Sequence, residues 1–513
     1  MLFNSYQFLF IFFPASIIFY RLIKYDAKKR AIILTICSLT FYASWDFRFL
    51  PLLLGSILAN YWLGTKVQHA VVAGAARQAN LFVALGLVLN LGALGFFKYA
   101  LFAVQNVNAL AGTSLVISHI VLPLGISFFT FEQIGFLVDL RRGASYSLNL
   151  LNYTVFVSFF PRLVAGPILR YSEIVPQLEN EQRRLDPLAD LAVGLTTFSV
   201  GLAKKALLAD SIASFVPAPF DAAASGQSLD FFAAWIGALA YMCQIYFDFS
   251  GYSDMAIGAA RCFGIRFPEN FNSPYKSASI VEFWRRWHMT LSRFLRDYLY
   301  ISLGGNRLGS ARRYVNLLLT MLLGGFWHGA NWTFLAWGAL HGSYLIVNHG
   351  WSTMAARSRP PVSSQPSLLS CWGGHFLTFI AVLVAWVFFR APTLRAAWAM
   401  LGAMVGTAGI ELPEAILWHL QPLKPLMTAL GVRVGGSGAQ FVGATLWIAA
   451  LLLIALVAPN TREIMDKIRS GIERPFPNPS RIATSVWAIA AGVALFTGFL
   501  SITRASTFLY WQF

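Results

Sequence analysis

Apolar runs about the length of a bilayer crossing recur from one end of this chain to the other. They constrain its fold more than any other feature. A helix that crosses a bilayer needs ~20 mostly apolar residues. Such runs are read near 6–23, 31–45, 48–64, 80–97, 121–138, 188–208 and 231–247, and again near 312–328, 331–348, 373–390, 438–458 and 484–502. Lipid offers no water to backbone N–H and C=O groups, so each run must close its own hydrogen bonds as a helix. The expected fold is all-α, a polytopic integral membrane protein with about 12 spanning helices.

Composition agrees. Of 513 residues, 57% are hydrophobic and only 12% charged, about half the charged share of a soluble domain. That excludes a soluble enzyme and a disordered scaffold. Cys37, Cys243, Cys262 and Cys371 form no CxxC pair, so neither a disulfide framework nor a zinc site follows from them. The formal net charge of +17 is read as basic loops facing anionic lipid, with no nucleic acid partner.

Orientation follows from where the basic residues lie. Lys24, Lys28, Lys29 and Arg30 follow the first run, which puts that loop in the cytoplasm and the N-terminus outside. The first run lacks a basic n-region and a cleavage site, so it is read as a retained span. Alternation then makes 98–120 external, and 104–120 holds no charged side chain. It makes 209–230 external, with Asp210, Asp221 and Asp230 and no Lys or Arg. It makes 459–483 cytoplasmic, with Arg462, Lys467, Arg469, Arg474 and Arg481, and twelve crossings return the C-terminus outside. Residues 151–170 contain Pro161, Arg162, Gly166 and Pro167 and are expected to form a re-entrant or interfacial element buried in protein. Residues 396–406 are read as lying on the external surface, and 357–368 as a Pro- and Ser-rich loop. No internal repeat is found.

One segment, 282–299 (EFWRRWHMTLSRFLRDYL), is strongly amphipathic. At 100° per residue its Trp, Phe, Leu and Tyr side chains fall within an arc of ~160°. Arg285, Arg286, Arg293 and Arg296 fall opposite. The pattern describes a helix in the cytoplasmic interface. It serves either as a plain membrane anchor or as a dock for an anionic donor. His288, at the edge of the apolar arc, opens a 62-residue window that also holds His328, His341 and His349. His328 sits in GGFWHGANW between two apolar runs, with Trp327 and Trp332 on either side. A neutral imidazole there is suited to general-base work, or it is a satisfied core histidine. His341 reads as a packed core residue. Glu132, deep in SFFTFEQIGF, needs a partner, for which an arginine of the broken segment is the candidate. The run YFDFSGYSDMAIG (246–258) places Asp248, Tyr252 and Asp254 in apolar sequence. They either line a wet cavity or satisfy a helix break. No HExxH, P-loop or dinucleotide-binding motif is present.

Five motifs in order resemble the membrane-bound O-acyltransferase family, in particular its alginate O-acetyltransferase branch. They are LPLGISFFTFEQIGFLVD (122–139), FFPRLVAGPILRY (159–171), YFDFSGYSDMAIG (246–258), FWRRWHMTLSRFLRDYLYISLGG (283–305) and GGFWHGANWTFLAWGALHG (324–342). The opening MLFNSYQFLF and the ending FLYWQF also look typical, so the likeness spans the whole chain as one domain. Within it, 1–120 are N-terminal helices, 121–349 a motif-bearing core and 350–513 C-terminal helices. The resemblance implies spanning and re-entrant helices around a central funnel, with His328 of the WHG motif as catalytic residue and His288 of the RWH motif as the second functional position. It implies an acyl donor arriving from the cytoplasm and an acceptor hydroxyl on the far side. It also implies a periplasmic or membrane-anchored partner acyltransferase.

The expectation is thus a multi-pass O-acyltransferase of the bacterial cytoplasmic membrane, an acetyltransferase modifying an exported or cell-surface polysaccharide. No tightly bound cofactor is expected, the donor being an acyl thioester, acetyl-CoA or an acylated carrier. The four arginines of 282–299 would hold the donor phosphates. Asn331, Trp327, Trp332, Asp248, Tyr252 and Asp254 would line the funnel, with Asn331 or Trp332 as oxyanion donors. The rival is a transporter, flippase or acyl-carrying module without chemistry of its own.

Overall fold

The structure is a computed structural model and describes residues 1–23, 26–118, 120–179, 187–358, 368–473, 492–502 and 509. Most of the described residues are helical; two three-residue strands, Ile410–Leu412 and Val432–Val434, pair in parallel with Ile410 opposite Val432. Among the described residues, five helices are long and apolar enough to cross a membrane: Ala76–Ala111, Pro187–Ala213, Phe231–Cys262, Ser370–Arg390 and Gly438–Leu456. The count of twelve expected from the apolar runs is therefore not reached on length and composition. Several runs, such as Ile126–Arg141 with 16 residues, make helices shorter than a simple crossing. The first part of the run near 484–502, residues 484–491, lies outside the described residues, as does most of the 357–368 loop.

The chain divides into two compact units, one formed by Met1–Ala203, Gly251–Asn270 and Thr461–Gln512, the other by Lys204–Ser250 and Phe271–Asn460. The first unit has an aromatic core in which Phe8 meets Phe41 at 6.0 Å, Phe160 at 6.1 Å and Phe198 at 6.2 Å. Apolar rings gain little by leaving lipid for protein, so packing geometry and interhelical polar contacts hold such a bundle. Two of these contacts are fully buried. Asn90 Nδ2 donates to Asn60 Oδ1 at 2.6 Å, and Glu132 pairs with Arg162. The second is the partner that Glu132 required. Arg162 comes from the segment expected to be broken, and it is broken: helix Leu150–Ser158 gives way to a single turn, Phe160–Leu163, and then to irregular backbone through Arg170. The irregular stretch is buried, with Ala165 at 0%, Leu169 at 2% and Ile168 at 3% exposure, as broken backbone inside a membrane protein must be.

Two further expectations are corrected. The 98–120 segment is not wholly loop, because the helix begun at Ala76 continues to Ala111. No break falls at 246–258 either, since Phe231–Cys262 is one helix of 32 residues. Asp248, Ser253 and Asp254 find partners distant in sequence, in Lys205, Asn270 and Thr461.

Candidate active site

The second unit carries the histidines. Its centre is a helical hairpin, Gly309–His328 and Trp332–Ser358, whose arms touch backbone to backbone. A Cβ at Gly325 would meet the carbonyl oxygen of Phe334 and lie 3.1 Å from Gly338 Cα; one at Gly338 would meet the carbonyl oxygen of Met321. Small residues at the crossing are what permit this approach. The first arm ends at His328, and Gly329 leaves it in extended backbone with φ −167°. Asn331 then starts the second arm, its Oδ1 accepting from Thr333 N at 3.0 Å.

His328 is buried, 4% exposed, within a cage of rings. Trp327 stands 5.1 Å away, Trp337 meets it edge-on at 5.1 Å and 89°, and Phe389 of the helix Leu368–Arg390 lies at 5.2 Å. Trp337 also touches His341 at 4.7 Å. Trp284 donates its indole N–H to His341 Nδ1 at 3.3 Å. The cage continues through Trp386, 6.0 Å from Trp337 and 4.9 Å from Trp287, to the residue before His288.

His288 itself breaks the amphipathic segment. It adopts φ 41°, ψ 54°, a left-handed conformation that is uncommon for a residue with a Cβ. The expected single helix over 282–299 is therefore three pieces: Ile280–Arg286, Met289–Phe294 and a π-helical turn, Leu295–Tyr300. Nor does its apolar face lie on lipid, because Phe283, Trp287 and Leu291 are covered by protein to 1% exposure or less. His288 is fully buried and faces the Phe249 ring at 4.7 Å and 90°. Desolvation pushes its pKa down to about 3 and keeps the imidazole neutral. Held backbone strain of this kind clusters at functional sites.

The four arginines differ. Arg286 is taken up by Glu282 at 2.8 Å, and Arg296 by Asp297 at 2.6 Å. Arg293 is half-buried, while Arg285 is exposed. Arg285 acts electrostatically on His349, together with Arg313. Burial first, and then these two cations, hold His349 below the usual imidazole range. That Arg285 and Arg313 both act on His349 was not foreseen, because the three come from separate segments.

The remaining candidates separate. Trp327 belongs to the His328 cage, but Trp332 is 53% exposed. Asn331 gives one of its two amide N–H groups to the carbonyl of Pro392 at 2.9 Å. Asp248 belongs to the second unit, where it is bound to Lys205 at 2.6 Å; Asp210 holds the same ammonium at 2.6 Å. Lys205 was missed, although a lysine inside an apolar run needs partners and was the available signal. Tyr252 and Asp254 belong to the first unit. There Tyr252 stacks on Phe3 at 4.9 Å and Asp254 accepts from Thr461 Oγ1 at 2.7 Å. Among the described residues, no three His, Cys, Asp or Glu side chains gather as a metal site would require.

A buried imidazole that shares an indole wall, Trp337, with a second imidazole at the end of an apolar helix suits proton transfer to or from a hydroxyl. Comparison with known proteins fits this chemistry. The model of the membrane-bound O-acyltransferase family matches residues 79–389. A peptidoglycan O-acetyltransferase of Helicobacter pylori is 43% identical over 440 residues, covering 80% of this chain and 81% of its own. A protein of Azotobacter vinelandii named as a probable alginate O-acetylase is 45% identical over 444 residues, 85% of each chain. A teichoic acid D-alanyltransferase of Streptococcus thermophilus is 30% identical over 280 residues, 52% of this chain and 68% of its own. With the matched region holding His288, His328 and the whole ring cage, the chain belongs to the membrane-bound O-acyltransferase family and is an O-acyltransferase.

Proposed function

We propose that this enzyme moves an acetyl group from an acyl thioester at the cytoplasmic face to a hydroxyl of an exported or cell-surface polysaccharide. In this reading it spans the bacterial cytoplasmic membrane twelve times with both termini outside. A periplasmic or membrane-anchored partner acyltransferase receives or completes the transfer. The donor is acetyl-CoA or an acylated carrier. Its phosphates meet Arg285, Arg313 and His349, with Arg293 alongside and Arg286 and Arg296 contributing through their carboxylate pairs.

The observation that carries the reading is His328, an imidazole caged by Trp327, Trp337 and Phe389 at a helix end. It takes the proton of the acceptor hydroxyl as the oxygen attacks the thioester carbonyl carbon. The C–O bond forms, the carbonyl pair moves onto oxygen, and on collapse the C–S bond breaks. The leaving thiolate takes the proton back from the imidazolium. The carboxyl end of the Gly309–His328 helix presents the negative pole of its backbone dipole to that transient cation. His288, neutral and rigidly held, supports the acyl path from the adjoining segment.

The test is transfer of radiolabelled acetyl from acetyl-CoA to alginate oligosaccharides or peptidoglycan fragments by purified full-length protein. His328→Ala should lose ~10²–10⁴-fold in turnover per folded molecule, about 3–5 kcal/mol of barrier. Near-normal transfer by well-folded His328→Ala would move the carrier or transporter reading ahead.

A further inference from the structure

We propose that His341 and Trp337 are the N–H donors that hold the oxyanion of the acyl-transfer step, an assignment that rests on the reading above with His328 as base. His341 Nδ1 accepts from the Trp284 indole at 3.3 Å. A ring nitrogen that accepts carries no proton, so the neutral imidazole bears its proton on Nε2. That Nε2 is buried and meets no acceptor among the described residues, and the same holds for the indole nitrogen of Trp337. The two side chains are 0% and 1% exposed.

Leaving one such donor unsatisfied costs about 1–3 kcal/mol. Packing alone gives no reason for two of them in ring contact. Five rings orient His341: Phe283, Trp284, Trp337, Tyr344 and Trp386, at 6.0, 5.2, 4.7, 5.8 and 6.5 Å. Trp337 is the wall His341 shares with His328, at 5.1 Å. An indole only donates, and with Nδ1 engaged His341 Nε2 only donates as well. A group that satisfies both must therefore accept from both. In thioester chemistry that group is the carbonyl oxygen, which gains negative charge as the hydroxyl adds and loses it as the thiolate leaves. Fixed, uncharged donors in a water-poor cage stabilise that charge without reorganising. Trp332, by contrast, is 53% exposed, and one N–H of Asn331 is already given to Pro392.

The experiment uses the full-length enzyme with acetyl-CoA and whichever of the alginate oligosaccharide or peptidoglycan fragment it acetylates. Trp337→Phe keeps the ring and deletes only the N–H side of the indole. It should lower kcat ~10²–10³-fold with KM for both substrates within about threefold and an unchanged melting midpoint. His341→Phe should fall similarly, and His341→Gln, which retains an N–H donor, should recover about tenfold over it. A second readout needs neither variant. The carbonyl stretch of ¹³C-acetyl-CoA bound to His328→Ala protein should move to lower frequency than in water. Folded Trp337→Phe with kcat within about fivefold of the parent, or an unshifted carbonyl band, would overturn the donor assignment while inactive His328→Ala left acyl transfer standing. Active His328→Ala would remove both.

Discussion

Glu132 and Arg162 show what one residue at depth requires. Each is buried to 4% exposure or less, and they neutralise each other across two segments. Glu132 Oε1 also accepts from Leu169 N at 3.2 Å, which ties the ion pair to the irregular backbone beyond it. Removing one partner strands a charge, at a cost of about 3–5 kcal/mol, whereas removing both does not. Glu132→Gln and Arg162→Gln should each lower the thermal midpoint of the detergent-solubilised protein sharply, and the double variant should regain most of the loss. A double variant as unstable as the sum of the singles would deny the coupling. The need for this partner was legible in sequence, because a carboxylate within an apolar run demands one. His288 was not legible in the same way. Its left-handed backbone is imposed by surrounding rings, and no glycine or asparagine at that position announces a break. The reading of His341 as a packed core residue agrees with its full burial among five rings, but nothing in the sequence showed which ring nitrogen would be engaged.

At the scale of elements, the hairpin that presents His328 depends on contacts no side chain can yield. A Cβ at Gly338 would meet the Met321 carbonyl oxygen and lie 3.0 Å from Leu322 Cα, both backbone. Gly350, later in the same helix, has nothing within 4 Å of its Cβ position. The same substitution should therefore give opposite results. Gly338→Ala should force the arms apart, lowering the melting midpoint and the acyl-transfer rate together. Gly350→Ala should be neutral or stabilising by up to about 0.5–1 kcal/mol through helix propensity. Equal behaviour of the two, measured by thermal unfolding and transfer rate, would remove close packing as the device that positions His328. Periodicity alone found both arms of this hairpin, since each is a long apolar run. It failed at 282–299, where the 100° pattern was real but served two helices and a turn rather than one helix. At 246–258, of the two readings left open, the helix break is the one removed, since the stretch stays helical with partners such as Lys205 and Thr461 that a local reading does not see.

For the molecule as a whole, orientation rests on charge and is open to direct test. The stretch after the first helix keeps Lys28, Lys29 and Arg30 at the start of Ala27–Asp46, where anionic lipid headgroups favour them. The short helices Asp210–Ala213 and Pro217–Ser225 occupy the loop that carries Asp210 and Asp221 without a cation. The helix Thr461–Glu473, the segment whose basic charge is expected on the cytoplasmic side, carries Arg462 and Lys467. Moving cations across the bilayer core costs several kcal/mol per group, so the three segments should keep their sides in every folded molecule. Cysteines introduced singly at 113, 226 and 463, in a background lacking the exposed Cys371, report those sides. A membrane-impermeant thiol reagent added to intact cells should label 113 and 226. Position 463 should react only after the membrane is opened. Labelling of 463 from outside, with 113 and 226 protected, would invert the protein. Arg285, Arg313 and His349 would then face away from the cytoplasm, where acetyl-CoA is made, and the proposed direction of acyl transfer would fail with them.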